Sequence, residues 1–154
     1  ITLMKKHCVD LKKTGQFSTF FLDYLEGKES LRPFYTHVPA LECFKEAIAA
    51  SQFTDQKRQT LVEVLEDQYA SVEASPVVAQ QLQALRDTKT FTVTTGHQLN
   101  LFTGPLYFLY KIISTLNLCK TLKKSHPEFD FVPVYWMATE DHDFDEISFF
   151  NFKQ

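Results

Sequence analysis

The stretch FTVTTGHQLNLFTGPLY, residues 91–107, decides the fold of this chain. Its first five residues are β-branched or aromatic, so they predict a strand, which ends at Gly96. A loop over residues 97–103 follows, and Gly104-Pro105 predicts the start of a helix. The apolar face of that helix is formed by Leu106, Leu109, Ile113 and Leu116. The stretch therefore predicts a strand, a loop and a helix, in that order.

The first half of the chain predicts helices. Phe17 to Leu25 carry apolar side chains at helical spacing, with Gly27 where a C-cap would lie, and we expect this apolar face to be buried. Further helices are expected to begin at Pro39, at Thr54 and at Ser75-Pro76.

A second apolar run, from Phe131 to Met137, predicts another strand, whose Tyr135 and Trp136 we expect in the core. Pro133 fits a strand only near its beginning or at a sheet edge. Strand, helix and strand form a βαβ unit, whose ligands bind beyond the carboxyl ends of its parallel strands.

The predicted fold class is therefore α/β. It consists of a helical N-terminal region, residues 1–87, followed by the first βαβ unit of a Rossmann-like core, residues 88–154, which is truncated after that unit.

Composition narrows the function classes. The 16 basic and 19 acidic residues leave a net charge of −3, which argues against a nucleic-acid binder. No apolar run approaches the roughly 20 residues of a membrane span, so we expect no membrane partner and a cytoplasmic location.

Three widely spaced cysteines without a CxxC motif predict packed, reduced thiols; they are Cys8, Cys43 and Cys119. The chain closes on the apolar stretch FFNFKQ, and we expect it to be a piece of a longer protein.

The loop after the first strand is a candidate anion site. A glycine at a strand end allows close backbone approach, and a following helix N-terminus attracts phosphate or carboxylate. The candidate cofactor-binding residues are Gly96, His97, Gln98, Asn100, Thr103 and Gly104. Neither a Walker motif nor GxGxxG is present, and an ordinary strand-to-helix connection remains the alternative.

The second candidate is acidic. Five carboxylates surround His142 within residues 140–146, directly after the second strand. Such a cluster suits a metal ion, although its spacing fits neither the EF-hand nor the HExxH template, or an Asp–His pair for acid–base chemistry. A solvated acidic loop is the third possibility.

These two loops carry a family resemblance. TTGHQLNLFTGPLY, Thr94 to Tyr107, and VPVYWMATEDHDFDE, Val132 to Glu146, closely resemble the bacillithiol biosynthesis cysteine-adding enzymes, the BshC family. The convincing similarity covers about residues 94–146.

The resemblance implies a function and its partners. It implies a ligase that joins the carboxyl group of cysteine to the amine of glucosaminyl malate, and a homodimer formed through a C-terminal coiled coil that is absent here. It also implies a Rossmann-type core related to class I aminoacyl-tRNA synthetases, whose HxGH signature holds nucleotide phosphates. Here His97 matches the first histidine, whereas Leu99 replaces the glycine and Asn100 the second histidine. We therefore expect an ATP-type nucleotide, with the metal requirement open.

The chemistry of amide formation agrees with these assignments. A free carboxylate must be activated, as an adenylate or an acyl phosphate, so the enzyme needs a phosphate cradle and a base. The candidate catalytic residues are Asp141, His142 and Asp143, and Lys111 is expected to point away from the site. We expect the fragment alone to be inactive.

Two other functions remain possible from the sequence. One is a nucleotidyltransferase-like domain with another substrate. The other is a non-catalytic helical interaction module with an acidic metal-binding loop.

Overall fold

The structure, a computed structural model, describes residues 7–140 and 144–152. It divides into two compact units, one ending at Ala50 and the other beginning at Ser51. The predicted domain boundary at residues 87 and 88 stays a prediction. No helix among the described residues has the length and apolar character needed to cross a membrane.

The first unit is helical. Its elements are α1 (Leu11–Thr14), α2 (Thr19–Leu25), two 3-10 segments (Glu29–Phe34 and Leu41–Cys43) and α3 (Phe44–Ala50). Ser18 caps α2 by accepting a hydrogen bond from the Phe21 amide, and Gly27 follows with a φ of 67°. The prediction that this segment buries its apolar face is wrong, because Phe20 is 65% exposed. The helix predicted to begin at Pro39 begins at Leu41 instead, as a 3-10 turn.

The second unit contains the sheet. Its elements are α4 (Asp55–Tyr69), α5 (Pro76–Ala84), β1 (Thr90–Gln98), α6 (Leu106–Ser125), β2 (Asp130–Ala138) and α7 (Phe144–Ile147). The hydroxyls of Thr54 and Ser75 cap α4 and α5, as their sequence predicts.

The predicted βαβ unit is confirmed. β1 and β2 pair in parallel, with Thr90 opposite Asp130 and Gln98 opposite Ala138. Pro133 is accommodated because the described sheet has two strands, which makes β2 an edge strand. β1 runs past the predicted end at Gly96, because β2 supplies partners as far as Gln98.

A small core joins helices and sheet in this unit. Val62 on α4, Leu85 after α5 and Val132 on β2 are almost fully buried and pack together. The cysteines are free thiols, of which only Cys119 is buried, so the prediction of packed thiols is wrong for the exposed Cys8. This core packs against the first half of β2, whereas the candidate site lies at the carboxyl ends of the two strands.

Candidate functional site

His97 is the centre of a hydrogen-bonded cluster at the carboxyl end of β1. Its Nε2 lies 2.6 Å from the hydroxyl of Tyr107, in the first turn of α6. On the other side of the ring, Nδ1 lies 2.9 Å from the amide nitrogen of Asn100 and 3.0 Å from the carbonyl oxygen of Gln98. The imidazole is therefore held from both sides, and the structure brings three of the predicted residues together: His97, Gln98 and Asn100.

The loop between β1 and α6 has an unusual backbone. Phe102, Thr103 and Gly104 have φ angles of 50°, 69° and 61°. Left-handed backbone at a residue other than glycine stores strain, and such strain concentrates at functional sites. Gly104 also packs closely, because a Cβ placed there would lie 2.7 Å from Cγ and Oδ1 of Asn100. Gly104 is therefore required by both its φ and its contact with the cluster.

The N-terminus of α6 faces this loop. Pro105 occupies the N-cap position, and no side chain of the described residues caps this end. Unpaired amides and the positive end of the helix dipole therefore remain for an anion. Thr103, a predicted binding residue, is exposed beside them.

Gly96 plays a different part from the predicted one. It lies inside β1 instead of at the end of the strand, opposite Trp136 of β2. Its backbone is not left-handed, unlike that of Gly104. A Cβ at Gly96 would lie 2.9 Å from the carbonyl oxygen of Trp136, so glycine is required here by the close approach of the two strands.

Lys111 belongs to the cluster, which corrects the prediction that it points away. Its Nζ donates a hydrogen bond to the carbonyl oxygen of Gly96 over 3.1 Å and lies 5.4 Å from the ring centroid of Tyr107. Among the described residues no carboxylate forms an ion pair with it. Lys111 therefore supplies a cation beside His97 whose charge is offset by no acid of the described residues.

Tyr107 and Lys111 also line a groove. This groove, of about 520 Å³, runs between β1 and α6, and its wall includes the polar residues Thr95 and Ser114. Its volume lies in the range of small-molecule sites. Neither Tyr107 nor Lys111 was selected from the sequence, although their spacing of four residues places them on one helix face.

Tyr135 supports the cluster from β2. Its hydroxyl donates to the carbonyl oxygen of His97 over 3.3 Å, and the ring of Phe108 packs edge-on against both Tyr135 and His97. Partial burial raises the pKa of Tyr135, which keeps this donor protonated. The expectation that Tyr135 and Trp136 lie in the core is wrong, since they are 38% and 59% exposed.

The acidic loop is described only at its borders. Asp141, His142 and Asp143, the predicted catalytic residues, lie outside the described residues, so their roles stay predictions. Before them, Glu140 accepts a hydrogen bond from Nε1 of Trp136 over 3.3 Å. After them, Asp145 is exposed on α7. In the part of the chain that the structure describes, no three potential metal ligands come together.

Fold and site together define a Rossmann-like α/β domain with a polar cluster where its first strand leads into a helix. The family described as bacillithiol biosynthesis BshC, N-terminal Rossmann-like domain, matches residues 4–154, and the chain belongs to this family.

The chain is similar to several curated relatives, each named "Putative cysteine ligase BshC". Those from Flavobacterium psychrophilum and Flavobacterium johnsoniae are 52% and 53% identical over 153 and 152 residues, and each match covers 97% of this chain and 29% of the relative. The relative from Bacillus cereus is 36% identical over 126 residues, which is 82% of this chain and 23% of that protein. The chain thus spans less than a third of the length of these relatives.

Proposed function

We propose that this chain is the N-terminal part of a cytoplasmic ligase that joins cysteine to glucosaminyl malate to form bacillithiol. Family membership supports the ligase class, and the names of the relatives support cysteine as one substrate. Glucosaminyl malate and amide formation come from the resemblance of the two loops.

The observation that carries the proposal is the cluster of His97, Tyr107 and Lys111 beside the uncapped N-terminus of α6. A carboxylate is activated when its oxygen attacks a phosphorus atom of ATP. This attack forms an acyl adenylate and releases pyrophosphate, or forms an acyl phosphate and releases ADP. In either case negative charge accumulates on phosphate oxygens, which a preorganised cation and helix amides stabilise.

Lys111 is the cation that this proposal requires. Its ammonium already lies at the carboxyl end of β1, where its partners among the described residues are a backbone carbonyl and an aromatic ring. A phosphate oxygen can therefore pair with it without breaking an ion pair that these residues form. His97, Gln98, Asn100, Thr103 and Gly104 shape the backbone around the phosphates, and Gly96 fixes the strand end.

The remaining steps fall to residues outside this cluster. Asp141, His142 and Asp143 are proposed to hold the ammonium group of cysteine or to take the proton from the attacking amine. The intact protein is proposed to act as a homodimer, through a coiled coil in its C-terminal part. The fragment by itself is proposed to be inactive.

The test uses the full-length protein with Lys111→Met. Lys120→Met is the control, because it removes the same charge from an exposed position on the same helix. We expect Lys111→Met to weaken ATP binding at least about 10-fold, since a hydrogen bond to a charged group contributes about 1.5–3 kcal/mol. Product is measured by mass spectrometry and ATP affinity by calorimetry. Equal ATP affinity in both variants would remove Lys111 from the phosphate site.

A further inference from the structure

We infer that Arg58 and Thr90 form a binding site for an organic carboxylate, separate from the cluster around His97. Arg58 lies in the first turn of α4, and Thr90 is the first residue of β1. His97 follows seven residues later on the same strand, which at about 3.3 Å per residue is roughly 23 Å away. The two sites therefore lie at opposite ends of β1.

Arg58 is a buried cation whose described partners are neutral. It is 7% exposed. Its Nη1 donates a hydrogen bond to the carbonyl oxygen of Leu85 over 2.9 Å, and its guanidinium carbon lies 5.4 Å from the ring centroid of Phe53. None of the ion pairs between described residues includes Arg58. Because arginine keeps its charge in proteins and a buried charge is costly without a counter-charge, this guanidinium favours an anion.

Two buried polar atoms beside each other in this region lack a hydrogen-bond partner in the part of the chain that the structure describes. One is Nε of Arg58, so the bond to Leu85 satisfies only part of a group that has five N–H donors. The other is Oγ1 of Thr90, a residue that is 2% exposed. Asp55 lines a depression together with Arg58, but the two form no ion pair. Buried polar atoms are nearly always hydrogen-bonded, so two unpartnered ones indicate a missing ligand.

Arg58 and Thr90 line the same cavity, of about 290 Å³. None of the described residues that line it is acidic. A guanidinium and hydroxyl groups suit an oxyanion, and the four apolar side chains of the wall suit a ligand whose remainder is apolar. The hydroxyl groups are those of Ser51, Thr90 and Thr92, and the apolar side chains are Phe53, Leu61, Leu85 and Phe91.

The charge of the site favours a carboxylate over a phosphate. Arg58 is the only cation among the described residues of the cavity wall. A carboxylate carries one negative charge, which one guanidinium balances, whereas a phosphate group carries about −1.5 to −2 at pH 7. Benzoate combines one carboxylate with an apolar ring and is the probe for this class. Inorganic phosphate is the competing probe.

The experiment measures the affinity of the full-length protein for benzoate and for inorganic phosphate by calorimetry. Lys57→Met is the control for Arg58→Met, because Lys57 is the exposed neighbour on the same helix and carries the same charge. We expect benzoate to bind the wild-type protein and Lys57→Met equally, and to bind Arg58→Met at least about 10-fold more weakly.

Thr90→Val keeps the test informative if the loss of Arg58 prevents folding. Valine has nearly the shape of threonine, and the hydroxyl that it removes has no partner among the described residues, so we expect this variant to fold. It should bind benzoate about 5-fold more weakly than the wild-type protein.

Three results would overturn the inference. The first is a wild-type protein that does not bind benzoate, and the second is a Thr90→Val variant that binds it as tightly as the wild-type protein. The third is phosphate binding that is tighter than benzoate binding and is weakened by Arg58→Met. Lys111→Met separates the two ends of β1, since benzoate binding that this variant loses and Arg58→Met keeps would place the carboxylate at the His97 cluster and reject the site at Arg58.

Discussion

Gly104→Ala is the substitution whose effect follows most directly from the geometry. Gly104 has a φ of 61°, and an added Cβ would lie 2.7 Å from two atoms of Asn100. Gly27→Ala is the matched control, because Gly27 has nearly the same φ, 67°, but no atom within 4 Å of the added Cβ. The two variants share the backbone strain and differ in the contact.

The expected loss in the free energy of unfolding is the sum of the backbone strain and the cost of the contact with Asn100. Left-handed backbone costs a non-glycine residue about 1–2 kcal/mol, and Gly27→Ala should lower the free energy of unfolding by about that amount. Gly104→Ala must also displace Asn100, whose amide donates to the Gln98 carbonyl and hydrogen-bonds with Nδ1 of His97. Each of these hydrogen bonds contributes about 1 kcal/mol, so the total loss should be roughly 3–4 kcal/mol.

Denaturant unfolding of the full-length variants measures the free energy, and calorimetry with ATP measures the site. We expect Gly104→Ala to lose about 2 kcal/mol more than Gly27→Ala and to bind ATP at least about 10-fold more weakly. Gly27→Ala should bind ATP normally. Equal losses of stability in the two variants, with equal ATP affinity, would refute the reasoning about Asn100.

Three further predictions follow. Gly96→Ala should lower the free energy of unfolding by about 1–3 kcal/mol, because its Cβ meets the carbonyl oxygen of Trp136; an unchanged denaturation midpoint would argue against this contact. Burial raises the pKa of Tyr135 above its unfolded value, so its stabilising effect is present below about pH 10 and is lost as the pH rises through the folded pKa. Melting curves of the wild-type protein at alkaline pH should therefore show a loss of stability that the Tyr135→Phe variant does not show. Identical curves for the two proteins would reject this prediction. Asp141→Asn should lower turnover about 100-fold without changing the melting temperature, and near-normal turnover would return this residue to a solvated loop.

Much of the fold could be predicted from local signals. Ser18, Thr54 and Ser75 begin helices because their side chains accept hydrogen bonds from the first turn, which the sequence alone reveals. The βαβ order was also predictable from the change in periodicity after Asp87. The end of β1 was not, because it depends on how far β2 extends beside it.

The candidate site was predictable in part. His97 and Asn100 belong to a recognisable motif, and the structure joins them. Tyr107 and Lys111 were missed, because their role depends on which face α6 turns toward the end of β1. That rotation is fixed by packing against the sheet, which a single sequence does not display. Gly96 was predicted to allow close approach of a ligand, whereas the close approach that the structure shows there is that of the neighbouring strand.

The most direct test of the proposed ligase is a product measurement. The full-length protein is incubated with cysteine, glucosaminyl malate and ATP, and the products are identified by mass spectrometry, beside a sample without ATP and one with the 154-residue chain alone. We predict an amide of the two substrates, formed by the full-length protein only when ATP is present and not formed by the shorter chain. Absence of this amide from the complete mixture, with a folded full-length protein, would contradict the account.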